Sequence, residues 1–221
     1  MLVLVCGLPG TGKSETSKFL AKKLNGIHLN TDIIRKEIFK DAEIETVLKS
    51  KEPLKYNLEK TFNKLKKIPL KYQKLIWKQK EMVYEKLFEK LKNFLKENKN
   101  VVIDGTFYKK DLRDKIYKIA NSANTEVYLI QCICSVNIVK KRLEERGFNS
   151  ISNANKIEIY NKIKRIYETP EKDGKPLFIY HTEKQKIIEK NAHGKHKDLI
   201  LNSLKEFVYM VKNNQISFAT N

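Results

Sequence analysis

The chain has 221 residues, a 41% apolar fraction and a formal charge of +19. That length and apolar content suffice for one sizeable core and exclude wholesale disorder. No stretch approaches the roughly 18 apolar residues of a membrane span, and three cysteines supply neither a metal quartet nor a C-x-x-C pair.

The charge suits a polyanionic partner such as RNA or DNA, but a lysine-heavy surface would produce it equally well. Only five of the 45 basic residues are arginine: Arg35, Arg113, Arg142, Arg146 and Arg165. A guanidinium grips phosphate oxygens as a bidentate fork, so these five mark places where the fork matters. Cys6, Cys132 and Cys134 read as core thiols in a reducing compartment. "MLVLVC" lacks the basic region and apolar length of a signal peptide. The expectation is a soluble, cytoplasmic protein.

"LVLVC" is a continuous apolar run, the mark of a strand buried on both faces, and it runs straight into "GLPGTGKS". A helix follows over 14–24, with Phe19, Leu20 and Leu24 on one face. "GIHLNTD" supplies a second strand, and "DIIRKEIFK" opens another helix. Residues 41–98 break the alternation and look helical throughout, interrupted at Pro53 and Pro69. Within them Ile76, Val83, Leu87, Leu91 and Phe94 recur at helical spacing, giving one long amphipathic helix. "NVVIDGTF" is a third strand, followed by a helix over 109–121, a strand over 126–134 and a helix over 136–146. "RGFNSISNAN" reads as a loop, then come a helix to 167, a turn-rich "TPEKDGKP", the strand "LFIYHT" and a last helix over 195–213. His193 and His196, in an H-x-x-H spacing, read as a helix-entry loop. Strands alternating with helices imply a parallel sheet covered on both faces.

Gly7, Gly12, Lys13 and Ser14 satisfy G-x-x-x-x-G-K-[ST], with the required strand before and helix after. In such a loop, backbone N–H groups cradle the nucleotide phosphates at a helix N-terminus, the lysine neutralises the β/γ oxygens and the serine offers its hydroxyl to Mg²⁺. The expected nucleotide-binding set is therefore Gly7, Leu8, Pro9, Gly10, Thr11, Gly12, Lys13, Ser14 and Thr16, with Arg142 added. ATP and Mg²⁺ are the expected cofactors.

A motor ATPase would follow its metal-linked aspartate with a glutamate to polarise water, but Asp104 is followed by Gly105, and no N/T-K-x-D guanine motif occurs. Transfer to a hydroxyl fits better. It needs a base, a grip on the acceptor and a cover against water. Asp32 follows the second strand, at the end where open parallel sheets bind ligands, and Arg35 lies one helical turn on. The same spacing suits Asp32 as a helix cap beside a solvated Arg35. Arg142 and Arg146, at i and i+4, are placed to cover the phosphates, a spacing that also fits a solvated helix with Glu144 and Glu145.

"GLPGTGKS", "NTDIIRKEIF", "VVIDGTFYKKDLRD" and "CSVNIVKKRLEERG", in this order, resemble the small P-loop kinases of the polynucleotide 5′-kinase, zeta-toxin and archaeal seryl-tRNA(Sec) kinase group, nearest its AAA-type ATP-binding "predicted kinase" branch. The resemblance spans roughly residues 1–40 and 99–168. It implies Asp32 as catalytic base with Lys13, Arg35 on the acceptor, Asp104 and Thr106 on the metal and acceptor side, and Arg142 and Arg146 as lid arginines. Metal ligation falls to Ser14 and Asp104, and Arg165 is placed near the nucleotide. Gly105 replaces the more usual alanine, and the 41–98 segment is longer than the group's pattern.

The fold class expected is α/β: a single P-loop kinase domain over 1–221 with a five-stranded parallel sheet of order 2-3-1-4-5, helices on both faces and a helical, acceptor-binding insert at 41–98. Three acceptor readings stand open: an RNA or tRNA hydroxyl, a small metabolite or nucleotide-sugar, and an RNA-binding protein with vestigial turnover. For RNA, residues 49–80 carry eleven lysines against two glutamates, with Tyr56, Phe62, Tyr72 and Trp77 interspersed. Lys64, Lys66, Lys67 and Lys71 are the lysines picked out for phosphate contact. The plainer account packs those aromatics inward and leaves the lysines as a wet face.

Overall fold

A computed structural model describes residues 1–62, 65, 68–145 and 157–217. Its centre is β1 (Leu2–Cys6), fully buried along its length. Side chains alternate across a strand, and here the alternation divides two cores. Leu2, Leu4 and Cys6 join one core, Val3 and Val5 the other. The neighbouring strands β3 (Val101–Asp104), β4 (Val127–Ile133) and β5 (Leu177–His181) split in the same way. That is why these strands read as unbroken apolar runs: each is covered on both sides.

With β2 (Ile27–Asn30) added, the strands lie in the order β2-β3-β1-β4-β5, all parallel, as the sequence leads one to expect. The sheet has six strands, however, not five. β6 (Lys186–Lys190) pairs antiparallel with β5 at the edge. Its "KIIEK" hides two half-buried isoleucines between charges, the pattern of a protected edge strand.

One face of the sheet is covered by α1 (Lys13–Lys23) and α9 (Lys197–Lys212). The other is covered by α2 (Thr31–Ile38), the second half of α5 (Leu70–Lys96) and α6 (Lys110–Ser122). α7 (Val136–Glu145) and α8 (Ile157–Arg165) meet in a small cluster of Val139, Leu143 and Tyr160, with half-buried Leu8 and Cys134 packed against it. Cys134 thus lies past the end of β4 instead of sharing the strand face of Cys132. Burial pushes the Cys6 thiol up to about 11 and that of Cys132 to about 12.

Residues 41–98 are interrupted at Pro53 and Pro69, as the sequence leads one to expect. α3 (Ile44–Lys49), a single turn at Pro53–Lys55 and α4 (Leu58–Phe62) precede α5. Val47, Leu58, Phe62, Tyr72 and Ile76 make a core of their own, while Val83, Leu87, Leu91 and Leu95 carry α5 into the main core. Gln79, polar but on the buried stripe, staples the two parts. Its Oε1 accepts from Leu58 N at 3.2 Å, and its Nε2 donates to Leu54 O at 3.0 Å and Tyr56 O at 2.5 Å.

Arg113 uses its fork inside the protein. It is fully buried, with Nε donating to Asp173 Oδ2 at 2.6 Å and Nη2 to Oδ1 at 3.0 Å. Its Nη1 donates to the Phe107 and Glu168 carbonyls at 2.8 and 2.9 Å, tying the loop after β3 to the segment after α8. Burial opposes the charge on Arg113, but the Asp173 carboxylate outweighs it and raises the guanidinium pKa further. His196 stands just before α9 without a side-chain cap bond, its Nδ1 lies 2.8 Å from Glu126 Oε2, and no cluster of three metal-ligating side chains occurs among the described residues. No described helix is long and apolar enough to cross a membrane.

Candidate functional site

The loop between β1 and α1 needs its glycines. Gly7 has φ of +140°, and a Cβ there would lie 2.3 Å from the Cys132 carbonyl oxygen, which is backbone and cannot yield. Gly12 is left-handed (φ 88°) and opens α1 with no side-chain cap, leaving the first-turn amides facing the loop. Lys13 Nζ and Thr11 Oγ1 both donate to Leu8 O, at 2.9 and 2.7 Å, closing the loop around its own carbonyl. Thr16 sits one turn into α1. It is fully buried, and its hydroxyl donates to Gly12 O at 2.9 Å.

On the β2–β3 side, strand register sets Asn30 beside Asp104 and Asp104 beside Val5. Asn30, not Asp32, caps α2: its Oδ1 accepts from the Asp32 and Ile33 amides at 2.8 and 3.0 Å. The Asp32 carboxylate is therefore released from capping and pairs with the Arg35 guanidinium one turn on. Arg35 is not solvated as the capping alternative requires; its side chain is 13% exposed. Burial works against its charge, and Asp32 and Glu59 more than restore it.

Asp104 is buried, with Oδ2 accepting from Asn30 Nδ2 at 2.5 Å and lying 3.8 Å from His28 Nε2. Burial alone would raise its pKa, but His28, Lys13 and the Ser14 hydroxyl outweigh burial and hold it below the usual carboxylate value. Gly105, which follows, admits no side chain: a Cβ would meet the Phe107 ring at 2.7 Å. Thr106 accepts from the Gly7 amide through its carbonyl at 3.5 Å.

A cavity of about 840 Å³ joins these groups. Lys13, Ser14, Asp32, Arg35, Asp104 and Thr106 all line it, together with Glu59, Phe62, Leu65 and Ile68 of the insert. Trp77 and Tyr84 of α5, Tyr108, and Ile159 and Ile163 of α8 complete it. Burial and then neighbouring Tyr108 push the Tyr84 phenol well above its ordinary value, so it stays a neutral hydroxyl.

Arg142 lies on the opposite, β4–β5 side of the loop. Its Nη1 donates to Gly10 O at 3.3 Å and to Thr182 Oγ1 at 3.1 Å. Arg146 lies outside the described residues, as do Lys64, Lys66 and Lys67. Arg165 is exposed on the last turn of α8 and does not line the cavity, whereas neighbouring Ile166 does. Of the aromatics in 49–80, Phe62 and Tyr72 are buried against each other (ring centroids 4.5 Å apart), and Tyr56 packs on the same cluster. Trp77 alone of the four is exposed.

Fold and loop together define a P-loop, kinase-like nucleotide-binding protein. Residues 2–170 match the family described as an AAA domain, and the chain belongs to that family. It is 25% identical over 225 residues to an adenylate kinase from Chlamydia trachomatis serovar D, covering 88% of this chain and 84% of that protein. Two crystal structures share the fold. One is a sugar kinase from Janibacter sp. HTCC2649 (TM-score 0.54, 13% identity, 92% of this chain and 91% of that one). The other is Chaetomium thermophilum Kti12 in complex with ADP-AlF3 (TM-score 0.52, 16% identity, 94% and 97%). These findings support a phosphotransferase.

Proposed function

We propose that the protein transfers the γ-phosphate of ATP to a hydroxyl of an acceptor held between the phosphate loop and the helical insert. The observation that carries this reading is the single cavity shared by the loop lysine and the Asp32–Arg35 pair. Arg35 holds the Asp32 carboxylate in place. Asp32 takes the acceptor's proton, the acceptor oxygen bonds to the γ-phosphorus, and the bridging P–O bond breaks to leave ADP. Lys13 and the α1 amides neutralise the phosphate oxygens.

The hard oxygens of Ser14 and of the ionised Asp104 fit Mg²⁺, which would neutralise phosphate charge between them. Arg142, on the β4–β5 side, is suited to the nucleotide, leaving the β2–β3 side for the acceptor. The buried free thiols Cys6 and Cys132 accord with a reducing, cytoplasmic compartment.

RNA is the second reading of the acceptor. What favours it is a row of exposed lysines on the insert, among them Lys49, Lys51, Lys71, Lys74 and Lys78. The inward packing of Phe62 and Tyr72 removes two of the stacking rings that reading needs. The test is γ-labelled ATP with separated RNA and small-molecule pools. Label on an acceptor hydroxyl supports the kinase, and label found only as free phosphate overturns it.

A further inference from the structure

The chain is strongly basic, yet among the described residues the acceptor end of its cavity carries acids and bases in equal number. Arg35 is paired with Asp32, and Lys80 Nζ lies 3.0 Å from Glu59. Lys162 sits one turn from Glu158 on α8, both lining the same space. A monophosphate buried here would be a dianion, for which the guanidinium fork is the favoured partner. Arg35 is the one arginine of the lining among the described residues, and it is committed to Asp32.

This end of the cavity instead offers an aromatic face. Trp77 lies off the buried stripe of α5 and remains 50% exposed, although Ile76 beside it is buried. Leu65 and Ile68 extend the apolar surface, and Lys80 Nζ is 5.1 Å from the indole centroid. Tyr84, Tyr108 and Glu59 ring the same space with hydroxyl and carboxylate hydrogen-bonding groups. A flat face beside hydrogen-bonding groups of no net charge is how proteins bind uncharged rings that carry hydroxyls.

We propose that the acceptor is a neutral, hydroxyl-bearing ring compound, a nucleoside or a free sugar, whose ring stacks on Trp77 while its hydroxyl faces Asp32. This rests on the kinase reading above. The volume, about 840 Å³, is ample for such a molecule beside the phosphates.

Trp77 is the only tryptophan in the chain, so its emission reports this wall alone. The full chain, saturated with Mg²⁺ and a non-hydrolysable ATP analogue, is titrated with adenosine, uridine, glucose and ribose. AMP, UMP, glucose 6-phosphate and ribose 5-phosphate are run beside them. At least one neutral probe should shift the emission saturably and bind about tenfold tighter than its phosphorylated counterpart. The nucleoside and sugar arms decide between the two sources. No response to any neutral probe, or phosphorylated probes binding as well or better, overturns the proposal.

The second measurement uses the acceptor identified by label transfer. Trp77→Ala should raise its KM about tenfold and change kcat by less than about threefold, the mark of lost ground-state binding. An unchanged KM overturns the platform. Label transfer that continues, dependent on Asp32, while Trp77 stays silent would sink this inference and leave the kinase standing. Saturable binding at Trp77 with no transfer to any acceptor would do the reverse.

Discussion

Asn30 holds Asp104 and the start of α2 at once: its Nδ2 reaches Asp104 Oδ2 at 2.5 Å while its Oδ1 caps the helix that carries Asp32. One amide thereby fixes the spacing between the two carboxylates of the site. An aspartate in its place would still cap but would set like charges together.

Asn30→Ala should therefore destabilise the protein by about 2–4 kcal/mol, from a lost cap and a lost hydrogen bond to a charged group. Asn30→Asp should also be destabilised at neutral pH despite keeping the cap. Urea unfolding of both variants checks this, and an Asn30→Asp protein as stable as wild type would refute the Asn30–Asp104 link.

Lys13→Ala should abolish phosphoryl transfer. It should cost only about 0.5–1.5 kcal/mol of stability, roughly one hydrogen bond of the kind Lys13 makes to Leu8. Wild-type transfer by this variant would unseat the loop from catalysis.

The ionisation of Asp104 gives a pH prediction. Its pKa is depressed in the folded protein relative to the 3.8 of a free carboxyl. As pH falls through that range the unfolded chain binds the proton first. The stabilisation is thus complete above about pH 4 and is lost progressively below it. Asp104→Asn should flatten the acid limb of a stability–pH curve, and an acid limb identical to wild type would show that Asp104 is not held ionised.

Removing one partner of a buried ion pair is costly. Arg113→Ala should lose about 3–5 kcal/mol, and adding Asp173→Ala should cost far less than the sum of the two single changes. Additive losses in that double-mutant cycle would separate the two residues.

The five parallel strands, the loop and the Asp32–Arg35 spacing were legible, because each rests on local pattern: apolar runs, obligatory glycines, one helical turn. What was hidden depends on contacts across the fold. The fork of Arg113 meets Asp173, sixty residues on, with no local sign of it. β6 carries no local strand pattern of its own, because only pairing with β5 makes Ile187 and Ile188 a face. Asn30 and Asp32 are both residue types that cap helices, and only the exact start of α2, set by the end of β2, decides for Asn30. Among the aromatics, the spacing of Tyr72, Ile76, Gln79 and Val83 already separates the buried stripe from Trp77.

The central claim is that Asp32 acts as a base toward an acceptor hydroxyl. Asp32→Asn leaves the Asn30 cap intact and keeps the side chain's shape, but removes the proton acceptor. With the acceptor found by label transfer, kcat should fall by about 10²-fold or more, while ATP affinity, read by titration, stays within about threefold. Unchanged turnover in Asp32→Asn would contradict the account.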